Sequence, residues 1–271
     1  MRKTISKEIV IQNKKKSIRE LNDLLEKYIN SDDEKLLKKA DLLSYWLQQY
    51  TQYVSFEEKF TPTKLMRYTR GNVLRVNFGF NVGKEFGGLH YAVVLDNDNK
   101  RNADVITVVP LSSTNGREIH ENNVDLGAEL YGKVSSRHEQ MLNHIQEELD
   151  DTTKALVVMN SMIDSIRKEY PEDYDSTEVH DKYRNVFEFT NELNQKNIAL
   201  KKELEILCRH GEEISRLKSG TMAVTNQITT ISKQRIHIPK RSTDFLYNIS
   251  LSTRSMDKIE EKLKDLFFYG N

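Results

Sequence analysis

Two long stretches of helical periodicity interrupt a sequence whose neighbouring segments indicate short strands, and they limit the folds open to this chain. Both stretches step mostly by three and four residues, the spacing of a heptad repeat. The first series is Met141, Ile145, Leu149, Thr152, Leu156, Met159, Ile163 and Ile166; the second is Tyr183, Val186, Thr190, Leu193, Asn197, Leu200, Leu204 and Leu207. With a loop containing Pro171 between them, they predict an antiparallel coiled-coil hairpin. Each arm would be roughly 45 Å long at ~1.5 Å per residue.

The segments on either side of the hairpin have strand character. GNVLRVNF (71–78) alternates polar and apolar residues, and YAVVL (91–95) and DVITVVPL (104–111) are short runs rich in β-branched residues. Turn-forming residues separate them. Strand and loop character returns after the hairpin over 218–240, and MDKIEEKLKDLFF (256–268) predicts an amphipathic helix.

The N-terminal part predicts a pair of helices over residues 17–60. SIRELNDLLEKYIN carries apolar residues at helical spacing. The sequence Ser31–Glu34 (SDDE) has the form of a capping box for the second helix. Thr61-Pro62 then ends the helical pair.

Composition bounds the classes of function. The 271 residues include 41 Lys+Arg and 41 Asp+Glu, so the net charge is about zero. Net charge therefore gives no general attraction to nucleic acid or to membranes, and a DNA-binding regulator has little support. The single cysteine, Cys208, excludes a disulfide framework. No apolar run is long enough for a transmembrane span or a signal peptide. These observations predict a cytoplasmic protein without membrane partners.

Three blocks of the β segments resemble the MazF/PemK family of toxin endoribonucleases. They are RGNVLRVNFGFNVGKEFGGLHYAVVLDND (70–98), VITVVPLSST (105–114) and AVTNQITTISKQRI (223–236). They occur in the family's order, and only the coiled coil breaks the spacing. The resemblance implies a small, curved antiparallel sheet or barrel, cleavage of single-stranded RNA, and a homodimer under antitoxin control. It does not extend to the N-terminal helices or to the hairpin.

The predicted architecture is therefore α+β, with a MazF/PemK-type sheet into which a coiled-coil hairpin is inserted. The predicted boundaries are 1–66 for the helical extension, 67–134 and 218–271 for the β domain, and 135–217 for the hairpin.

The resemblance also implies site residues. The family's catalytic pair is an Arg after the Gly-Gly pair and a Ser or Thr at the end of the next strand. Ser112 falls at the second position, but His90 stands where the family has Arg. The candidate substrate-binding residues are Glu85, Gly87, Gly88, Arg75, Lys84, Gln227, Thr230, Lys233 and Arg235.

A histidine suits metal-independent RNA cleavage, in which the 2′-OH of the RNA is the nucleophile. Its unperturbed pKa of ~6.5 permits proton transfer near neutral pH, whereas Arg is better at clamping phosphate. A lone His between a loop and a strand is also common as a structural residue, and Ser112 also fits a turn. The other histidines lack metal-ligand spacing, so neither a metal nor a cofactor is predicted.

Two functions remain open from sequence. One is a toxin endoribonuclease in which His90 is the acid/base and Ser112 a phosphate ligand. The other is a catalytically inactive interaction module, favoured by the missing Arg. In either, the coiled coil is a candidate docking arm for an antitoxin or another protein.

Overall fold

The computed structural model describes residues 6–268; the ends of the predicted domain ranges, 1–5 and 269–271, lie outside the described residues. The helices are α1 (Lys7–Ile29), α2 (Glu34–Phe56), α3 (Glu129–Glu169), α4 (Thr177–Lys182), α5 (Arg184–Ser215) and α6 (Thr253–Phe267). The strands are β1 (Val73–Asn77), β2 (Leu89–Val94), β3 (Val105–Ser113), β4 (Asn123–Asp125), β5 (Thr221–Val224), β6 (Thr229–Ser232) and β7 (Ile236–Ile238). The fold class is α+β, as predicted.

The seven strands form one antiparallel sheet in the order β4–β5–β3–β2–β1–β7, with β6 also paired to β3. In a flat sheet, four strand spacings of about 4.8 Å would separate β6 from β7, or about 19 Å. The chain from Ser232 to Ile236 reaches at most about 14 Å even when fully extended. The sheet must therefore curl, and this curl brings its two edges together.

Side chains alternate between the two faces of the sheet along each strand. Because the sheet is curled, one face lies inside and the other outside, and both are apolar. The inner face is the cluster Tyr68, Leu74, Val76, Phe78, Ala92, Val94, Ile106, Val108, Ile231 and Ile236. The outer face includes Val73, Tyr91, Val93, Val109 and Leu111. The outer face is covered by α6 and by the ends of α3 and α5 that lie next to the sheet.

The hairpin has the predicted seam. Seven of its buried residues belong to the two heptad series: Ile145, Thr152, Ile166, Thr190, Asn197, Leu200 and Leu207. Ile214, at the sheet end of α5, is buried in the core cluster of the outer face instead. The Asn197 side-chain amide lies at the seam and donates a hydrogen bond to Thr153 Oγ1 at 3.3 Å, so this polar group has a partner. The predicted arm length is too short for α3, whose 41 residues span about 60 Å. α3 begins at Glu129 because its first turns bury Leu130 and Val134 against the sheet.

Glu129 also fastens α3 to the start of α6. Its carboxylate accepts hydrogen bonds from Ser252 N (2.5 Å), Ser252 Oγ (2.9 Å) and Ser255 Oγ (2.5 Å), and it pairs with Lys133 at 2.9 Å. Burial alone would raise the pKa of Glu129, but these hydrogen bonds outweigh it and lower the pKa to about 2. A negative charge at the N-terminus of α6 is also favoured by the helix dipole.

The N-terminal helices pack on each other and contact the sheet through α2. Asp33 caps α2 by accepting from Lys35 N at 2.8 Å, whereas the predicted capping box placed the cap at Ser31. Ser31 Oγ accepts from Asp33 N instead. Ala40 is the only buried residue in the two helices. Among residues 6–268, no helix combines the length and the apolar character that crossing a membrane requires.

Candidate functional site

The loop between β1 and β2 is held in one shape by hydrogen bonds from several sides. Phe78 N donates to Gly88 O at 2.8 Å, and Gly88 N donates to Gly79 O at 2.7 Å. Asn81 Nδ2 donates to Phe86 O at 2.7 Å. The loop is therefore a rigid support for the residues that follow it into β2.

Both glycines of the Gly-Gly pair are required by this shape. A Cβ on Gly87 would lie 2.8 Å from Gly79 O, a contact with backbone that cannot move aside. Gly88 has φ of +86°, in the region that L residues with a side chain rarely adopt. The pair thus permits the close approach of backbone between the two ends of the loop, whereas the resemblance implied that the two glycines bind substrate.

Gln227 holds the loop from the other side. Its Oε1 accepts from Phe86 N at 3.2 Å, and its Nε2 donates to Lys84 O at 3.5 Å. Glu85 also bonds within the loop, since its carboxylate accepts from Val82 N at 3.1 Å. Gln227 and Glu85 therefore position the loop.

His90 lies in β2 opposite Val76, on the inner face of the sheet. Its ring packs on Phe86 with 4.7 Å between ring centroids. Burial lowers the pKa of His90, and the nearby positive charge of Arg75 lowers it further; a hydrogen bond to the Gly87 backbone opposes both. At neutral pH the imidazole is therefore uncharged and able to accept a proton.

The strand register places Ser112 beside His90. β2 and β3 pair Ala92 with Pro110 and Tyr91 with Leu111. Continuing this antiparallel ladder by one residue sets Ser112 opposite His90, with side chains on the same face and Cα atoms about 5 Å apart. The recorded ladder ends at Tyr91 and Leu111, so this extension by one position is an inference that brings together two residues 22 positions apart in the chain.

A cleft of about 330 Å³ opens beside the loop. Its lining includes Phe86, Gln227 and Arg235. The Arg235 guanidinium donates to Asn77 O at 2.8 Å and to Phe78 O, and it lies 5.2 Å from the centre of the Trp46 ring. Two of its five N–H donors serve those carbonyls. His90 is not in the lining, but its ring contacts Phe86, which is.

Arg75, predicted to bind substrate, points to the other face of the sheet. Its partner across the ladder is Tyr91, a residue of the outer face. Its guanidinium pairs with Glu213 of α5 at 2.5 Å, with only 12% of the side chain exposed. The structure therefore gives Arg75 a role in joining the sheet to the hairpin and does not bring it to the cleft.

Lys233 and Thr230 are also away from His90. Lys233 is 1% exposed, and its Nζ donates to Lys100 O at 3.0 Å. Thr230 shares a hydrogen bond of 3.0 Å with Thr107, near the opposite end of β3 from Ser112. Lys84 is exposed in the loop. Within the described part of the chain, no three His, Cys, Asp or Glu side chains are grouped as a metal site requires.

The structure is an α+β fold with a curled antiparallel sheet and a glycine-rich β1–β2 loop, as the MazF/PemK resemblance implies. Residues 69–167 match the family model of the PemK-like, MazF-like toxin of type II toxin-antitoxin systems. The resemblance inferred from the sequence is confirmed over these residues, which are similar to the MazF/PemK family. The match does not include β5–β7, which complete the same sheet. No curated protein gave a match.

Sequence reasoning missed two residues of the site, Asn81 and Trp46. Asn81 holds the loop through Phe86 O, and Trp46 covers Arg235 and Gly79. An Asn in a turn and a Trp on an amphipathic helix gave no signal that they would meet the β1–β2 loop.

Proposed function

We propose that this protein is a metal-independent endoribonuclease of the toxin type that cleaves single-stranded RNA. The observation that carries the proposal is the β2–β3 register, which when continued by one residue sets the half-buried His90 opposite Ser112, within residues that resemble the MazF/PemK family. The lowered pKa of His90 keeps the imidazole unprotonated at neutral pH, which is the form that a general base requires.

The proposed reaction uses the RNA's own 2′-OH. His90 removes the 2′-OH proton while a bond forms between the 2′-oxygen and phosphorus. The bond from phosphorus to the 5′-oxygen breaks, and the 5′-oxygen takes a proton from the resulting imidazolium. The products are a 2′,3′-cyclic phosphate and a 5′-OH. Ser112 Oγ donates a hydrogen bond to a phosphate oxygen, and the glycine-rich loop lets backbone approach the strand.

Arg235 is proposed to supply the permanent charge that the family's Arg would provide at position 90. It is held by two backbone carbonyls at the edge of the cleft and has further donors for phosphate oxygens. Gln227, Glu85, Gly87 and Gly88 act by fixing the loop. Lys84 is exposed beside the cleft as a contact for the RNA backbone.

The test is an RNA cleavage assay in EDTA on a long unstructured transcript with mapped ends. His90→Ala should abolish cleavage while leaving the far-UV circular dichroism spectrum unchanged. His144→Ala is the matched control, because His144 is an exposed residue of the hairpin. Cuts of equal rate by wild type and His90→Ala would refute the role of His90, and cuts that vanish in EDTA would refute metal independence.

The alternative is an interaction module without catalysis. It is favoured by His90 at the family's Arg position and by exposed apolar residues on the hairpin, including Val157, Val158 and Phe189. Growth arrest on expression that persists unchanged with His90→Ala would support this alternative. The enzyme proposal expects the substitution to relieve the arrest.

The assembly and the domain boundaries are also proposals. We propose a cytoplasmic homodimer, with the hairpin as a docking arm for an antitoxin or another protein. Light scattering of the purified chain measures the oligomer directly. Limited proteolysis tests the division into 1–66, 67–134 with 218–271, and 135–217, because cleavage should concentrate at exposed links between compact units.

A further inference from the structure

α2 and the segment between β6 and β7 enclose two adjoining cavities, which we call the α2 groove. The first, about 250 Å³, is lined by Trp46, Tyr50, Tyr53, Val54, Glu57, Ser232, Gln234 and Arg235. The second, about 350 Å³, shares Tyr53 and Gln234 with the first. Arg235 also lines the cleft beside the β1–β2 loop. The α2 groove therefore continues that cleft along the surface of α2.

The second cavity combines aromatic rings with positive charge. Its lining residues are Gln52, Tyr53, Phe56, Lys59, Phe60, Thr61, Lys64, Leu65, Lys233, Gln234 and Lys240, and none of them is acidic. The chain has no net charge, so the lysines that line this cavity are a local concentration of cations. Burial lowers the pKa of Lys240, and the nearby Asp244 opposes the shift. An anion in the cavity would stabilise the charged form of Lys240.

One buried polar atom in the groove lacks a partner. Gln234 Oε1 is buried without a hydrogen bond to any described residue, and its side chain lines both cavities. A buried acceptor left unpaired costs about 1–3 kcal/mol. If the Gln234 side chain turns towards the groove, a ligand with an N–H or O–H donor removes this cost, and both nucleobases and the ribose 2′-OH carry such donors.

We propose that the α2 groove binds nucleotides of the RNA strand next to the bond cleaved at His90. Bases would pack on Tyr53, Phe56 and Phe60, and phosphates would lie near Lys59 and Lys64. Aromatic platforms beside cations are the general means of holding single-stranded nucleic acid, because every base has a π-face and every link a charge. The inference rests on the proposed function for the identity of the ligand. It assigns α2 a part in binding substrate that the β domain alone does not have.

The test uses the full chain and a fluorescent oligonucleotide of about twelve 2′-O-methyl residues, which has no free 2′-OH to attack the phosphate. Fluorescence anisotropy gives the dissociation constant over a range of salt concentrations. Lys59→Ala/Lys64→Ala should weaken binding about tenfold and reduce the slope of log K against log salt by about 1.4, the value for two lost contacts to a single strand. Phe56→Ala should weaken binding by at least about fivefold through lost stacking.

The matched control is Lys35→Ala/Lys38→Ala, which removes the same charge from exposed positions at the other end of α2. This control should bind like the wild type. All variants should have the thermal unfolding midpoint of the wild type. Equal weakening by both double variants would refute the groove and indicate a general effect of charge. Displacement of the oligonucleotide by free AMP or UMP at equal concentration would also refute it, in favour of a free-nucleotide site.

Failure of the groove and failure of the proposed function give different results. If His90→Ala abolishes cleavage while Lys59→Ala/Lys64→Ala binds like the wild type, the groove is refuted and the enzyme stands. If His90→Ala cleaves normally but Lys59→Ala/Lys64→Ala weakens binding, the groove stands without that catalytic assignment. Faster cleavage by Lys59→Ala/Lys64→Ala would refute the groove, because it would make α2 a cover over the site.

Discussion

The ion pair between Arg75 and Glu213 joins the sheet to the hairpin, and its removal distinguishes a structural role for Arg75 from the RNA-binding role predicted from sequence. Arg75 Nη2 lies 2.5 Å from Glu213 Oε1. The side chain of Arg75 is 12% exposed and that of Glu213 is 34% exposed. Glu213→Gln keeps the size of the side chain but leaves the guanidinium without its countercharge.

Breaking a fully buried pair by removing one partner costs about 3–5 kcal/mol, because the other charge is left buried and unpaired. Glu213 is one-third exposed, so water replaces part of the lost interaction. We therefore expect Glu213→Gln to lower the free energy of unfolding by about 2–3 kcal/mol. Arg75→Met/Glu213→Leu should recover most of that loss, since an apolar pair of similar volume removes both charges together.

Urea unfolding followed by far-UV circular dichroism measures these differences. Asp151→Asn is the control, because Asp151 pairs with Lys154 at 3.8 Å with both side chains about 80% exposed. Loss of such a surface pair should cost less than about 0.5 kcal/mol. A loss for Glu213→Gln no larger than that of the control would refute the structural role of the pair.

The same variants test the sequence prediction directly. If Arg75 contacts RNA, Arg75→Met should weaken binding of the 2′-O-methyl oligonucleotide while Glu213→Gln should not. The structure predicts that neither variant, once folded, changes binding, because Arg75 faces the hairpin. Arg75→Met should also raise the pKa of His90, since the Arg75 charge is one of the two causes that lower it.

Three further predictions concern stability. Burial lowers the pKa values of His90, His210 and His237 in the folded chain, so the unfolded chain takes up protons first. The thermal midpoint should fall as pH drops below about 6.5, and a midpoint constant from neutral pH to about 5.5 would contradict this. Gly87→Ala should cost about 1–3 kcal/mol in urea unfolding, because its Cβ would meet Gly79 O at 2.8 Å. Glu129→Gln should cost about 1–2 kcal/mol; the lowered pKa corresponds to at most about 3 kcal/mol, which solvent around this partly exposed carboxylate reduces. The Glu129 contribution in the wild type should disappear as pH falls from about 4.5 towards about 2, and an acid-unfolding curve unaffected by the substitution would contradict it.

The elements that were predicted correctly are those in which local pattern and burial agree. The heptad spacing placed Ile145 and Leu200 at the seam because a helix repeats its faces whatever surrounds it. Ile259 is fully buried where the amphipathic pattern of α6 predicted an apolar face. The alternation in β1 also predicted two faces.

The structure departs from the expectations where a contact distant in the chain decides the local arrangement. α3 extends back to Glu129 because Leu130 and Val134 find the sheet and Glu129 finds the start of α6, neither of which is visible in the local sequence. Arg75 was assigned to substrate because its charge is apparent in sequence, whereas its partner lies 138 positions away. Motif matching likewise grouped Gln227, Thr230 and Lys233 within one site, and the structure distributes them over three environments.

The register between β1 and β2 determines which side chains lie on the inner face of the sheet. Neighbouring residues point to opposite faces, so Arg75 and Tyr91 contact the hairpin side while Val76 and His90 face inward. A slip by one residue would exchange them, placing the arginine on the inner face and the histidine on the outer face. The bonds that prevent such a slip are those across the loop, from Phe78 N to Gly88 O and from Gly88 N to Gly79 O. The Gly-Gly pair therefore serves the proposed chemistry by fixing the strand pairing that presents His90, even though neither glycine carries a side chain.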